Sequence, residues 1–142
     1  MTRMPALAHL VAVALIGTGS ALAQDHAVKA TVPFNFTVNG STMPAGSYTI
    51  TSDSSSVPVL SIRNHQEKLN VWAMGLLDPS DVGKAGSLTF HKYGDRYFLS
   101  EISYPHSSTK VHLPTSKMEK KAKEHTLEAG LNANRDILIA LN

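Results

Sequence analysis

The side chains best able to do chemistry in this sequence are its histidines, since the chain contains no cysteine. Histidine ligands of a metal usually lie two residues apart on a strand, or three or four apart on a helix, because these spacings place both rings on one face. No pair here has such a spacing, although residues 106 and 112 could meet across a turn near residue 91. The sequence predicts no metal site and indicates surface or half-buried imidazoles. Beyond residue 23 the histidines are His26, His65, His91, His106, His112 and His125.

A second group of chemically capable residues lies in a predicted hairpin. The candidates for a binding patch there are His91, Tyr93, Arg96, Tyr97 and Glu101. Tyrosine and arginine contribute much of the binding energy at interfaces, which favours a functional interpretation. In the competing structural interpretation, Tyr93 stacks on Arg96 as a cross-strand pair worth roughly 0.2–1 kcal/mol. The sequence alone favours the structural interpretation.

Motifs of common enzymes are absent from the sequence. No serine lies in a Gly-x-Ser-x-Gly elbow, which would expose an activated nucleophile. No pair of carboxylates stands in the context of a glycosidase, and no cofactor motif stands out. The sequence therefore predicts a protein with neither enzymatic activity nor a cofactor. The alternative is a small secreted hydrolase, or another small-ligand enzyme, whose site the sequence does not reveal.

Basic charge is concentrated in one stretch, Lys110, Lys117, Lys120, Lys121 and Lys123. These lysines could contact anionic lipid head groups or an acidic polymer. They fit a solvated helix face better, because Glu119 precedes Lys123 by four residues and can pair with it. The whole chain has thirteen basic and eleven acidic residues, which is too balanced for a nucleic-acid-binding protein.

Residues 1–23 have the three regions of a secretory signal. Arg3 supplies the positive start, and residues 6–16 form a largely apolar stretch. That stretch is roughly half the length of about 20 residues that a membrane span needs. Ala21 and Ala23 provide the small residues that signal peptidase recognises, and Gln24 follows where a lipoprotein would have cysteine. The sequence predicts export to the periplasm or the medium, without a transmembrane or lipid anchor.

Residues 24–142 are predicted to form one β domain of short strands separated by turns. Over the whole chain, 42% hydrophobic and 17% charged residues are typical of a globular protein. Pro33 lacks the amide donor of a sheet ladder, so the first segment is an edge strand, a bulged strand or two short strands with a bend. The fourth segment is apolar enough for burial on both faces, and we expect Trp72 in its middle to lie in the core. The first four predicted strands are 28–38, 47–51, 57–63 and 69–77.

The clearest predicted element is a hairpin over residues 87–104. Glycine at the first central position of its turn, Gly94-Asp95, suits a type II′ turn, whose backbone matches the twist of the strands. A slip of one residue would exchange the two faces of the hairpin. The predicted register pairs Phe90 with Leu99, His91 with Phe98 and Lys92 with Tyr97.

Beyond Pro105 the sequence predicts a short strand at 109–113, then one helix, then a last strand. Ser116 and Glu119 form a capping box, in which the serine hydroxyl accepts from the Glu119 amide and the glutamate side chain reaches back. The helix is predicted over 116–129 and the last strand over 135–141. The predicted fold is all-β, a small sandwich or partly open barrel of about seven short strands with one helix near the C-terminus.

Three stretches carry a family resemblance: residues 32–36 (VPFNF), 43–48 (MPAGSY) and 90–99 (FHKYGDRYFL), with residues 114–117 (PTSK) also fitting. On these stretches the chain resembles a family of small secreted proteins of unknown function found mainly in Acidobacteria. The likeness covers most of residues 28–125. It implies a signal peptide and a compact β domain, and it implies no activity, cofactor or site residue.

Taken together, these features predict an exported, non-enzymatic binding or structural module of the cell envelope or secretome. The expected partner is an envelope polysaccharide or protein, and the sequence does not identify the ligand.

Overall fold

A computed structural model describes residues 26–53, 55–81, 85–131 and 135–142 of the chain. The predicted signal segment, with Ala21, Ala23 and Gln24, lies outside the described residues. The first seven strands are β1 (His26–Val32), β2 (Phe36–Val38), β3 (Ser41–Met43), β4 (Gly46–Ser52), β5 (Val59–Asn64), β6 (Leu69–Met74) and β7 (Leu76–Pro79). The remaining elements are β8 (Ser87–Tyr93), β9 (Arg96–Ser103), β10 (Thr109–His112), α1 (Lys117–Glu128) and β11 (Arg135–Ala140).

The strands form two sheets that enclose one apolar core. The first sheet has the order β1-β4-β5-β6, and the second has the order β11-β8-β9-β10-β7. The short β2–β3 hairpin joins the second sheet, where Thr37 of β2 pairs in parallel with Phe98 of β9. Inward side chains of both sheets, such as Ile50, Leu60 and Phe90, are fully buried between them. This confirms the predicted all-β sandwich with one helix near the C-terminus.

The described residues contain eleven strands, more than predicted, because two predicted segments are divided and the short strand β3 was not predicted. The first divides near Pro33 into β1 and β2, which is one of the arrangements expected there. The second divides at Gly75 into β6 of the first sheet and β7 of the second. A Cβ at Gly75 would lie 2.2 Å from a methyl group of Val111, so only glycine lets the backbone pass this close to the second sheet.

The prediction that residues 69–77 are buried on both faces, with Trp72 in the core, is wrong. Trp72 is 59% exposed and Met74 is 64% exposed, whereas Ala73 between them is buried. Successive side chains of a strand point to opposite faces, and β6 has a core on one face only. Trp72 and Met74 therefore point to solvent although they are as apolar as their inward neighbours.

The hairpin of β8 and β9 has the predicted register, with Phe90 opposite Leu99 and His91 opposite Phe98. Gly94 has a φ of +65°, and Asp95 keeps a negative φ, as a type II′ turn requires. A bulge at Ser100 shifts the pairing further along the hairpin, so that Thr89 lies opposite Glu101.

Helix α1 packs on the outer face of the second sheet, where Met118 and Ala122 contact Tyr93 and Phe98. Its start is half of the predicted capping box, because the Ser116 hydroxyl accepts from the Glu119 amide at 3.2 Å. The other half of the prediction is wrong, since the Glu119 carboxylate turns to the sheet instead of back to residue 116. The helix lysines are exposed, which fits a solvated face.

The two lateral sides of the sandwich differ. On one side the backbone amide of Asn142 donates to the Lys29 carbonyl at 2.8 Å and links β1 to the segment after β11. On the other side β6 pairs with β5 alone among the described strands. The sandwich is therefore bridged along β1 and open along β6.

Candidate binding site

The predicted patch does not form one surface. Cross-strand partners share a face, so the pairings of Tyr93 with Arg96 and of Thr89 with Glu101 place four patch residues on the outer face of the second sheet. Tyr97 is on the inner face, where its ring stacks on Phe34 with a centroid distance of 3.9 Å. The patch is therefore divided between the two faces.

The outer-face residues of the patch are already engaged with other parts of the domain. Tyr93 is buried beneath helix α1, and the Arg96 guanidinium lies over the Phe98 ring at 5.3 Å. Glu101 forms an ion pair with Lys110 at 2.9 Å on the neighbouring strand. Arg96 therefore stacks on Phe98 and not on Tyr93 as the structural interpretation expected. The binding patch stays a prediction.

Glu119 is the centre of a buried polar cluster that links the helix to the sheet. Its side chain is 6% exposed, and Oε1 lies 2.6 Å from Nδ1 of His91. The Tyr93 hydroxyl donates to the same oxygen at 3.2 Å. A buried carboxylate is costly unless it is paired, so these contacts explain how Glu119 is tolerated beneath the helix.

The cluster shifts the protonation of both its partners. The hydrogen bond to Glu119 is the largest cause of a raised pKa at His91, and Asp136 adds to it, so the imidazolium form is favoured. Burial first, and then the charge of Glu119, raise the pKa of Tyr93 to about 12, so its hydroxyl stays a donor. The local charge of Glu119 is thereby offset by His91.

Other histidines are dispersed over the domain. His112 lies 3.6 Å from Asp78, and His125 lies 3.9 Å from Glu128 on the exposed side of α1. In the described ranges, no group of three or more histidine, aspartate or glutamate side chains could hold a metal ion.

A groove of about 380 Å³ opens beside β6, on the open side of the sandwich. We call it the Trp72 groove. Most of its lining is apolar, and its polar groups come from the β2–β3 hairpin and the start of α1. The volume is at the lower end of the ~300–1,000 Å³ range of small-molecule pockets. Its principal apolar lining residues are Val38, Val59, Trp72, Met74, Phe98 and Leu113, and its polar members are Thr37, Asn39, Thr115, Ser116 and Glu119.

Asn39 joins the hairpin to β6 at the rim of this groove. Asn39 and Gly40 both have positive φ, at +47° and +76°, as a type I′ turn requires. This turn presents the Asn39 side chain to β6, where Nδ2 donates to the Trp72 carbonyl at 2.8 Å. The contact holds the hairpin against the open edge of the first sheet.

The described lining of the groove contains few groups that could do acid–base chemistry. Among the described lining residues only Glu119 has an ionisable side chain, and its Oε1 is already bonded to His91 and Tyr93. The other ring nitrogen of His91 faces Asp136, 3.8 Å away, and His91 does not line the groove. For the His91–Glu119 pair to act as an acid–base pair, Nε2 of His91 would have to face the ligand, and it faces Asp136 instead.

These features define a β-sandwich with an apolar groove at its open edge. No protein-family model, curated protein or solved structure matches the chain. The resemblance to secreted proteins of Acidobacteria therefore stays a prediction. Within the part of the chain that the structure describes, no helix has the length and apolar character needed to cross a bilayer.

Proposed function

We propose that this chain is an exported, non-enzymatic binding module of the cell envelope or secretome, and that it binds its partner at the Trp72 groove. The observation that carries the proposal is the uncovered apolar surface at the groove, where Trp72 and Met74 are both more than half exposed. Soluble proteins rarely leave large apolar side chains clustered in solvent unless the cluster binds something.

The free energy available at this surface is enough for a specific interaction. A tryptophan side chain buries roughly 150–250 Å² when covered, and apolar burial is worth roughly 25 cal/mol per Å². Covering the exposed part of Trp72 alone would contribute about 2–4 kcal/mol before the costs of ordering. Met74 and Val59, at the same edge, add to this surface.

The alternative is a small secreted hydrolase or small-ligand enzyme, and Glu119 in the groove lining is the feature that favours it. The orientation of His91 away from the groove favours binding instead. Export rests on the predicted signal segment, and its test is the N-terminus of the exported protein.

The test of the binding proposal uses the single tryptophan of the chain as a reporter. The exported protein is titrated with fractionated envelope extract while its tryptophan emission is recorded. In a separate experiment it is screened on a glycan array. We expect a blue shift on binding, and we expect Trp72→Ser to abolish capture of the bound component.

Leu138→Ser is the matched control, because Leu138 is also exposed on an edge strand, at 65%, but lies in β11 of the other sheet. Equal capture by wild type and both variants would show that the Trp72 groove is not the binding surface.

A further inference from the structure

One side of the β6 backbone faces the Trp72 groove, and among the described strands none pairs with it there. Of its groups, the Trp72 carbonyl is engaged by the Asn39 side chain. Gly75 donates its amide to the Pro58 carbonyl at 3.0 Å, so Gly75 faces the β5 side. The N–H and C=O of one residue in an antiparallel strand point to the same side, and those of the next residue point to the other. Val71 and Ala73 therefore face β5. Asn70, Trp72 and Met74 face away from it.

The Asn39 contact confirms this orientation independently. Its amide reaches the Trp72 carbonyl from the side opposite β5, so the groups of Trp72 point into the open side of the sandwich. Asn39 supplies one donor where a neighbouring strand would supply a ladder of them.

Strand β6 lacks two of the features by which proteins usually protect a sheet edge, a charged side chain and a proline. Its sequence, LNVWAM, contains no charged residue and no proline. At the edge of the second sheet, Ser80 donates to the Ser108 carbonyl at 2.8 Å, so Pro79 faces outward and leaves no free amide there. An apolar edge strand without charge or proline can act as a template for another strand.

The groove and the free edge are adjacent, and both favour an uncharged extended peptide. A strand paired with β6 would direct alternate side chains towards the apolar lining of the groove. Among the described residues that line the groove, Glu119 is the one with an ionisable side chain, and His91 offsets its charge, so the groove itself offers a charged side chain no complementary group. A saccharide would cover Trp72 but would not match a ladder of alternating donors and acceptors.

We propose that β6 binds an extended, uncharged segment of another protein as an additional strand of the first sheet, with alternate side chains in the Trp72 groove. This inference rests on the proposed function and names its class of partner. The Asn39 side chain occupies the Trp72 carbonyl in the free protein and is displaced when the strand binds.

The test is to pan the exported protein against a displayed library of random twelve-residue peptides, with subtraction on Trp72→Lys. Enriched peptides should alternate apolar residues and lack charge. The best peptide is then synthesised with N-methyl groups at every second residue, in both phases. One phase should bind unchanged and the other should lose binding, because only one set of peptide amides faces β6.

Amide hydrogen exchange places the peptide on the strand. Exchange at Asn70 and Met74 should slow on binding by at least tenfold. Exchange at Val71 and Ala73 should change little, because these amides already face β5. Equal sensitivity to both N-methyl phases, or no protection of the outward amides, would overturn strand addition.

Two pairs of variants separate the backbone from the side chains. Asn70→Pro and Asn70→Ala both remove the side-chain hydrogen bond from Ser61. The proline variant also removes the outward backbone amide, which the alanine variant keeps. Only the proline variant should therefore lose binding. Asn39→Gly keeps the positive φ of the turn but removes the competing donor. It should tighten binding roughly fivefold, the value of one ordinary hydrogen bond.

The outcomes also separate this inference from the proposed function. If no peptide is enriched but a glycan or extract component binds through Trp72, strand addition is overturned and the binding module stands. If nothing binds through Trp72, both strand addition and the proposed binding function are overturned. Self-association of the purified protein that Asn70→Pro abolishes would make the occupant a second copy and overturn the claim of a different protein.

Discussion

Replacing Glu119 by glutamine should destabilise the domain more in mild acid than in mild base. Glutamine keeps the shape of the side chain and can still accept from Tyr93, but it removes the charge that holds the His91 imidazolium. The raised pKa of His91 means that its stabilising effect is complete below the unfolded pKa of about 6.5. The effect is lost as the pH rises through the higher pKa of the folded protein.

The magnitude follows from the geometry of the cluster. A hydrogen bond to a charged group contributes about 1.5–3 kcal/mol, against about 0.5–1.5 kcal/mol for a neutral one. The His91 side chain is 32% exposed, so solvent screening brings the expected difference to the lower end. We expect Glu119→Gln to cost about 1 kcal/mol near pH 5.5, or about 3 °C in Tm, and less than half of this near pH 8.5.

Urea unfolding at about pH 5.5 and about pH 8.5 measures both values, with wild type in parallel. Glu128→Gln is the matched control, because it alters a Glu–His pair on the same helix in which both side chains are about four-fifths exposed. That control should change stability little at either pH. A loss for Glu119→Gln that is equal at the two pH values would refute the imidazolium–carboxylate pairing.

Three further predictions concern the leader, the tryptophan and the hairpin. Mass spectrometry of the protein recovered from the periplasm or the medium should find Gln24 at the N-terminus, with or without cyclisation to pyroglutamate, and retention of Met1 would contradict the predicted export. Trp72 should emit close to the maximum of a hydrated indole, and Trp72→Ser should cost under about 1 kcal/mol as a surface change does. A blue-shifted native spectrum would show that Trp72 is buried after all. Gly94→Val should destabilise the domain by about 1–2 kcal/mol or more, since a β-branched residue is strained at φ +65°, whereas Asp95→Asn should be nearly neutral. Equal melting temperatures for the two hairpin variants would place the turn elsewhere.

The hairpin was predictable from sequence because its determinants are local. A glycine at a turn fixes which residues of the two flanking strands pair, and Gly94 does so for Phe90 and Leu99. The start of α1 was predictable for the same reason, since Ser116 and Glu119 are three residues apart. The contact of the Glu119 carboxylate with His91 was not predictable, because His91 is distant in sequence and only the packing of the helix on the sheet brings the two side chains together.

The Trp72 groove was not predictable because its determinants are topological. Burial of a strand depends on whether another layer covers each face and whether another strand covers each edge. The run from Leu69 to Leu77 is apolar throughout, so its pattern does not distinguish inward from outward positions. Gly75 was the sequence feature that could have indicated the division of this run, since an isolated glycine within a strand pattern often marks a close approach of the backbone to another part of the fold.

The transfer of the chain between sheets at Gly75 also constrains the order in which the domain can assemble. All strands of the first sheet precede this residue, and all strands of the second follow it except the β2–β3 hairpin. During synthesis the N-terminal part emerges first, so β4, β5 and β6 can pair as local hairpins while β8 and β9 are still missing. In that interval the inner side chains Ile50, Leu60 and Ile62 have no opposing layer, and the nascent first sheet exposes both an apolar face and its β6 edge. The late arrival of the β8–β9 hairpin therefore ends the period in which this chain is most prone to aggregate.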